Sequence, residues 1–136
     1  MGEIANNTGM VMADHAEPAV DPRRCELVLS LLAKKWVIPI LVELEAEPRR
    51  RQYLVTRLKV ASSRLDPTIQ EMTRWGLVER AWIPCGRTDG PAIAISNLGR
   101  SFLATMARLS EWQDTHHSEL LDNDREWRST HPDGQP

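Results

Sequence analysis

The sequence predicts an α+β fold, mostly helical, on three observations. Between residues 23 and 76 apolar side chains recur every three or four positions in four short segments, the spacing of helices that bury one face. Residues 77–83 and 92–96 are apolar and aromatic runs around a Gly- and Pro-rich loop, the pattern of two strands. From Ser96 the helical spacing returns and holds to about Leu121, as one long helix would require.

A chain of 136 residues suffices for one domain with a modest core. No run approaches the roughly 20 apolar residues of a membrane span, and the first residues lack a basic-then-apolar signal pattern, so a cytoplasmic location is expected. Cys25 and Cys85 show neither CxxC nor metal spacing and read as free thiols. The net charge of -2 is unevenly placed. Residues 1–22 hold four acids and no Lys or Arg, residues 23–100 hold 14 Lys or Arg against 8 Asp or Glu, and residues 101–136 hold 3 against 7. A body of +6 between ends of -4 each suits a phosphate-binding surface, although a solvated basic face gives the same count.

Residues 1–22 read as a flexible acidic arm, with at most a weak helical tendency over residues 9–16. Residues 23–33 place Leu27, Val28, Leu31 and Leu32 on one stripe and predict the first helix, with Lys34 and Lys35 at its dipole-favoured end. Residues 36–45 repeat the pattern with Trp36, Ile40, Leu41 and Leu44. Pro39 falls close enough to the start that its missing N–H costs little. Pro48, Arg49, Arg50 and Arg51 interrupt the pattern, and Leu54 and Leu58 mark a third helix over residues 51–58.

The fourth helix, residues 60–76, turns Leu65, Ile69 and Met72 to the core at i, i+4 and i+7 and leaves Ser63, Arg64, Thr68 and Arg74 outside. Gly76 closes it in the left-handed conformation. A helix with small, polar and basic residues in its first turn, delivered by another short helix, is how a helix-turn-helix meets a DNA major groove; an ordinary amphipathic helix has the same pattern. The following strands enclose residues 84–91, PCGRTDGP, a hairpin loop tipped by Arg87, Thr88 and Asp89. Ser96 then caps the last helix, in which Leu98, Phe102, Met106, Leu109, Trp112 and His116 share a face. Residues 122–136 are polar, broken by Pro and Gly, and expected to fray or be disordered.

No enzymatic chemistry is legible. His116 and His117 point about 100° apart on a helix, and His15 and His131 lie in the tails, so no metal site is expected. GxSxG, HExxH and phosphate-cradling Gly loops are absent, and no cofactor is expected.

Three helices, a turn, a fourth helix and a two-stranded hairpin is the order of a winged helix. The chain resembles the HxlR-type winged helix-turn-helix regulators, relatives of the MarR group, over residues 23–115. The matching residues are Lys35-Trp36, Ile40-Leu41 and Leu44 of the second helix, Pro48-Arg49-Arg50 before the third, and Leu54. They continue with Gly76-Leu77-Val78-Glu79-Arg80 after the fourth, Ile95-Ser96-Asn97-Leu98-Gly99 at the start of the last, and Leu109 with Trp112 inside it.

The resemblance implies a winged helix DNA-binding domain over residues 23–100 and a C-terminal dimerisation helix over residues 101–121. It implies a homodimer held by the first and last helices, through Leu27, Leu31, Phe102, Met106, Leu109, Trp112 and His116, that sets two recognition helices in successive major grooves of double-stranded DNA. Ser62, Ser63, Arg64 and Thr68 then fall at the exposed start of the recognition helix, Arg87 and Thr88 on the wing tip, and Arg49, Arg50, Arg51 and Arg57 near the backbone. By the same analogy Trp82, Met106, Trp112 and His116 line an inter-subunit pocket for a small aromatic effector.

Two features depart from the family pattern. Ala61 stands where the family starts its recognition helix with Ser, and Asp66-Pro67 follows. Either Ser62 caps the helix and Pro67 distorts its second turn, or Asp66 is the cap and Pro67 the first helical residue, which is locally cheaper and shortens the helix. An Asp66 facing DNA would also repel phosphate. Many family members carry a sensor cysteine thirteen residues before the Trp; here Arg23 stands there and Cys25 two positions later, where it is expected to be structural rather than reactive. The expected function is therefore a sequence-specific DNA-binding transcriptional regulator. The alternative is a winged helix protein that has exchanged DNA for a ligand or protein partner.

Overall fold

The computed structural model describes residues 20–133. The weak helical tendency of residues 9–16 and most of the acidic arm lie outside them, as do residues 134–136. The chain divides into two compact units, residues 1–34 and 35–136. In the first, Asp21 caps a 3₁₀ turn, Pro22–Cys25, its carboxylate accepting from the Arg23 N–H at 3.0 Å, and α1 (Glu26–Ala33) follows. The capped turn with Pro22 at its start takes the residues that periodicity alone would give to the helix. Leu31 is buried, while Leu27, Val28 and Leu29 are exposed.

The second unit is a winged helix-turn-helix: α2 (Val37–Leu44), α3 (Arg51–Leu58), α4 (Ser62–Arg74), β1 (Val78–Cys85), β2 (Thr88–Ile95) and α5 (Asn97–Thr130). Its centre is α2, whose Val37, Ile40, Leu41 and Leu44 sit at i, i+3, i+4 and i+7 and are all wholly buried, with Leu54, Leu65 and Met72 from α3 and α4 against the same core. Each such side chain contributes roughly 1.5–3 kcal/mol of burial. Pro39 is the third residue of α2, where its missing N–H has no helical acceptor to lose.

Three residues link α3 to α4. Lys59 takes the left-handed conformation (φ 56°) and Val60 is buried. The helix then starts at Ser62 with Ala61 as its cap residue, which offers no side-chain hydrogen bond. Neither Ser62 nor Asp66 is the cap, and Pro67 lies inside the helix, leaving the Ser63 carbonyl without its helical donor. Packing explains the choice. A helix beginning at Pro67 would release Leu65, which is wholly buried beside Met72.

The wing is longer than its loop composition suggests. β1 and β2 pair in register from Val78 opposite Ile95 to Cys85 opposite Thr88, so the eight-residue loop shrinks to the two-residue turn Gly86-Arg87. Gly86, at φ 70°, supplies the positive φ that a type II′ turn needs at its first central position. Pro84 and Pro91 are tolerated because a two-stranded ribbon has open edges on which a missing N–H breaks no ladder. Arg49 adds one further rung to the outer edge, exchanging both backbone bonds with Ile93 at 2.9 and 2.8 Å.

Ser96 caps α5 as expected, accepting from the Gly99 N–H at 2.9 Å and donating to the Gly76 carbonyl. The helix does not end near Leu121 but runs to Thr130. The expected disorder of residues 122–130 is corrected by pairing within that segment: Asp122 with Arg125, and Asp124 with Arg128 at 2.9 Å, each acid N-terminal to its base as a helix prefers. Trp127 stacks on His131 at its end. No helix among the described residues is long and apolar enough to cross a membrane.

Candidate nucleic-acid interface

The site is built on α4. With Leu65, Ile69 and Met72 on the packed side, 100° per residue puts Ser63, Pro67, Gln70 and Arg74 opposite, and all four are exposed. Arg64, also exposed, flanks this stripe. Ser62 is half-buried, and so is Thr68, whose hydroxyl donates to the Arg64 carbonyl at 3.3 Å. Of the four predicted recognition-helix residues, Ser63 and Arg64 are fully presented. Gln70 was not singled out from the sequence, although its seven-residue offset from Ser63 is the signal that places both on one line.

The cations before and within α3 are mostly engaged inside the protein. Arg51 forks onto Asp66 through two hydrogen bonds of 2.6 and 3.0 Å. Arg57 pairs with Glu43 at 3.3 Å, and Arg49 pairs with Glu47 at 3.4 Å while lying over the Tyr53 ring. Arg50 donates to the Pro84 carbonyl at 2.6 Å. Exposed pairs of this kind are worth only about 0–1 kcal/mol, so a phosphate could displace them. The Arg51 pair has a second effect: its hydrogen bonds hold the Asp66 carboxyl below the ordinary carboxylate range, so Asp66 stays ionised and its charge is balanced by the guanidinium beside it. Arg64, Arg74, Arg80 and Arg87 have no ion-pair partner among the described residues.

Between α4 and the wing lies a cleft of about 780 Å³. Ile69, Gln70, Thr73 and Arg74 form one wall, and Arg80, Trp82, Pro91 and Ile93 the other, with Arg51 and Asp66 also lining it. Strand alternation puts Arg80 and Trp82 on the same sheet face as buried Val78, and their cross-strand partners Ile93 and Pro91 join them. Arg80 is the second residue that sequence reading missed; its two-residue offset from Val78 carried the signal. Arg87 and Thr88 are exposed at the wing tip as expected.

The four-residue aromatic pocket is not assembled within one chain. Trp82 lines the cleft, whose walls include none of Met106, Trp112 or His116. Met106 is buried, whereas Trp112 stacks on His116 along α5 at 4.6 Å. Among the expected dimer residues, Leu27, Leu109 and Trp112 are exposed, Phe102 and His116 are half-buried, and Leu31 and Met106 are already covered in the single chain. Cys25 is half-buried with its thiol donating to the Asp21 carbonyl at 3.3 Å; Cys85 is exposed at the end of β1.

Comparison with known proteins agrees with this geometry. The sequence profile described as HxlR-like helix-turn-helix matches residues 31–120, more than half of the chain. A search of curated protein sequences gave no match. Among solved structures, the reduced form of the transcriptional regulator YodB from B. subtilis is similar at 22% identity and a TM-score of 0.61, over 70% of this chain and 92% of that one. A structure described as a MarR-family transcriptional regulator from Enterococcus faecalis V583 gives 21% and 0.65, over 79% and 98%. The regulator ytfH from Salmonella typhimurium gives 22% and 0.56, over 74% and 89%. At these identities the structures share a fold, and it is the sequence profile that decides membership: the chain belongs to the HxlR-like helix-turn-helix family.

Proposed function

We propose that the protein is a homodimeric, sequence-specific DNA-binding transcriptional regulator that acts in the cytoplasm. The observation that carries this reading is the bare polar face of α4, Ser63 and Gln70 with Arg64 at its flank, with a wing bearing exposed Arg87 beside it. Arg64 and Gln70 have the geometry to bond base edges in the major groove, Arg to guanine and Gln to adenine. Arg87 and the arginines before α3 fix the register on phosphates. The pairing of Asp66 with Arg51 favours this reading over a winged helix that has given up DNA.

Dimerisation is supported by α5, which beyond Met106 leaves Leu109, Trp112, Leu120 and Trp127 exposed, a face that a second copy would cover. Two half-sites one helical turn apart, about 34–36 Å, follow from such a dimer. A small aromatic effector would act in the pocket between the subunits that the family analogy gives to Trp82, Met106, Trp112 and His116, of which Trp112 and His116 stack on each other along α5. The experiment is a mobility-shift titration on the protein's own upstream region with random duplex as competitor. A specific shift with a Kd in the range of roughly 10⁻⁸–10⁻¹¹ M supports the regulator, and a shift abolished equally by random duplex rejects it.

A further inference from the structure

Resting on the DNA reading above, we propose that Pro67 is a base-reading residue that recognises thymine through its methyl group. The exposed line of α4 runs Ser63, Pro67, Gln70 and Arg74, and Pro67 is the member of it with nothing to offer a polar atom. Its ring carries neither donor nor acceptor, and its backbone has no N–H. In the major groove every base presents hydrogen-bonding atoms, and thymine alone adds an apolar methyl. A proline set against any other base edge strips water from polar atoms and returns no bond, whereas against thymine it meets the methyl.

Nothing in the fold asks for a proline here. Pro67 is the sixth residue of α4, past the first turn where proline is tolerated, and it removes the helical bond to the Ser63 carbonyl. Because the ring is exposed, no core packing offsets that loss. It is not among the walls of the cleft beside the wing either, which take Gln70 and Arg74 from the same line. The adjoining acid does not compete for the base, since Asp66 is held by Arg51 at 2.6 and 3.0 Å. A contact made with the rigid ring also orders no rotamers. Spacing then places a neighbour. Gln70 follows Pro67 by three residues, about 4.5 Å along the helix axis, close to one base-pair step of about 3.4 Å. With Gln70 on an adenine, Pro67 falls on the thymine of the adjacent pair, so each half-site should hold two neighbouring A·T pairs.

The test begins with duplexes selected from a randomised pool by the full-length wild type. Each thymine of one selected half-site is replaced in turn by deoxyuridine, which lacks only the methyl. Dissociation constants are read by fluorescence anisotropy for wild type and Pro67→Ala, and thermal melts, in which Pro67→Ala should be at least as stable, show that both are folded. At one thymine, next to the A·T pair that Gln70→Ala relaxes, deoxyuridine is expected to weaken wild-type binding about fourfold, the effect of one buried methyl-sized group, and Pro67→Ala binding by less than about twofold. Arg64→Ala should keep the fourfold response. A selected site in which no thymine responds to deoxyuridine, or whose response is the same in Pro67→Ala, overturns the proposal while the DNA reading stands. So does a Pro67→Ala that loses affinity for all duplexes alike, since the proline then shapes the helix and reads no base. A wild type that selects no sequence rejects the regulator and the base-reading role together.

Discussion

In α4 the apolar residues Leu65 and Met72 are wholly buried and what remains outside is Ser63, Arg64, Gln70 and Arg74, whereas in α5 beyond Met106 the apolar residues are themselves outside. Leu109, Trp112, Leu120 and Trp127 are each 45% to 57% exposed. A bare polar face is content in water and exchanges it readily for a polyanion. A bare apolar face is not, and gains free energy only when another protein surface covers it. On the proposed function the two helices divide the chemistry of the molecule, one toward nucleic acid and the other toward a second chain.

The comparison breaks at its root if the covered face of α4 is removed. Leu65→Ala is expected to cost about 2–5 kcal/mol of stability, read as a lower melting temperature, with DNA binding lost along with the helix's seat. A more selective change tests α5. Replacing Leu109 and Trp112 together by Ser should raise the dimer dissociation constant by about a hundredfold, on the scale of interface anchors, as measured by sedimentation. Unchanged sedimentation would show that this face is not the seam.

On the polar side the expected effects are smaller. Arg64→Ala should cost about 1–3 kcal/mol of binding to the specific site and little to random duplex. Asp66→Asn should strengthen binding to random duplex about twofold to fivefold at low salt, because it removes a negative charge from the cleft and frees Arg51 for phosphate. The pH dependence has a definite sign. With the folded carboxyl held below its ordinary value, the pair stabilises the protein above the carboxylate range, and that stabilisation disappears as pH falls through the depressed value. The stability difference between wild type and Asp66→Asn should therefore be constant near neutral pH and vanish in acid, as followed by thermal melts across pH.

How much of this was legible in the sequence depended on the range of the interaction that decides each feature. The bounds of α3 and the Ser96 cap rest on residues within one or two turns, and local periodicity and capping chemistry found them. The length of the wing is not legible in the sequence because Pro84 and Pro91 break strands in sheet interiors but not in a ribbon with open edges. The end of α5 lies beyond the expected Leu121 because residues 122–130 look like a polar tail until their acids and arginines are paired at i+3 and i+4. The Arg51–Asp66 pair is not legible in the sequence because the two residues lie fifteen positions apart and only the packing of α3 beside α4 brings them together. The face that Gln70 and Arg80 occupy was implicit in the helical and strand periods, but only burial of Leu65, Met72 and Val78 fixes which face is free.

The most direct test of α4 as the reading surface is a titration of wild type and Arg64→Ala against operator and random duplex, each at two salt concentrations. A loss of tenfold or more on the operator, about 1.4 kcal/mol, with random-duplex affinity nearly unchanged is the expected result. Equal affinities on the operator, or an equal loss on both duplexes, would contradict it and leave α4 without its base-reading role.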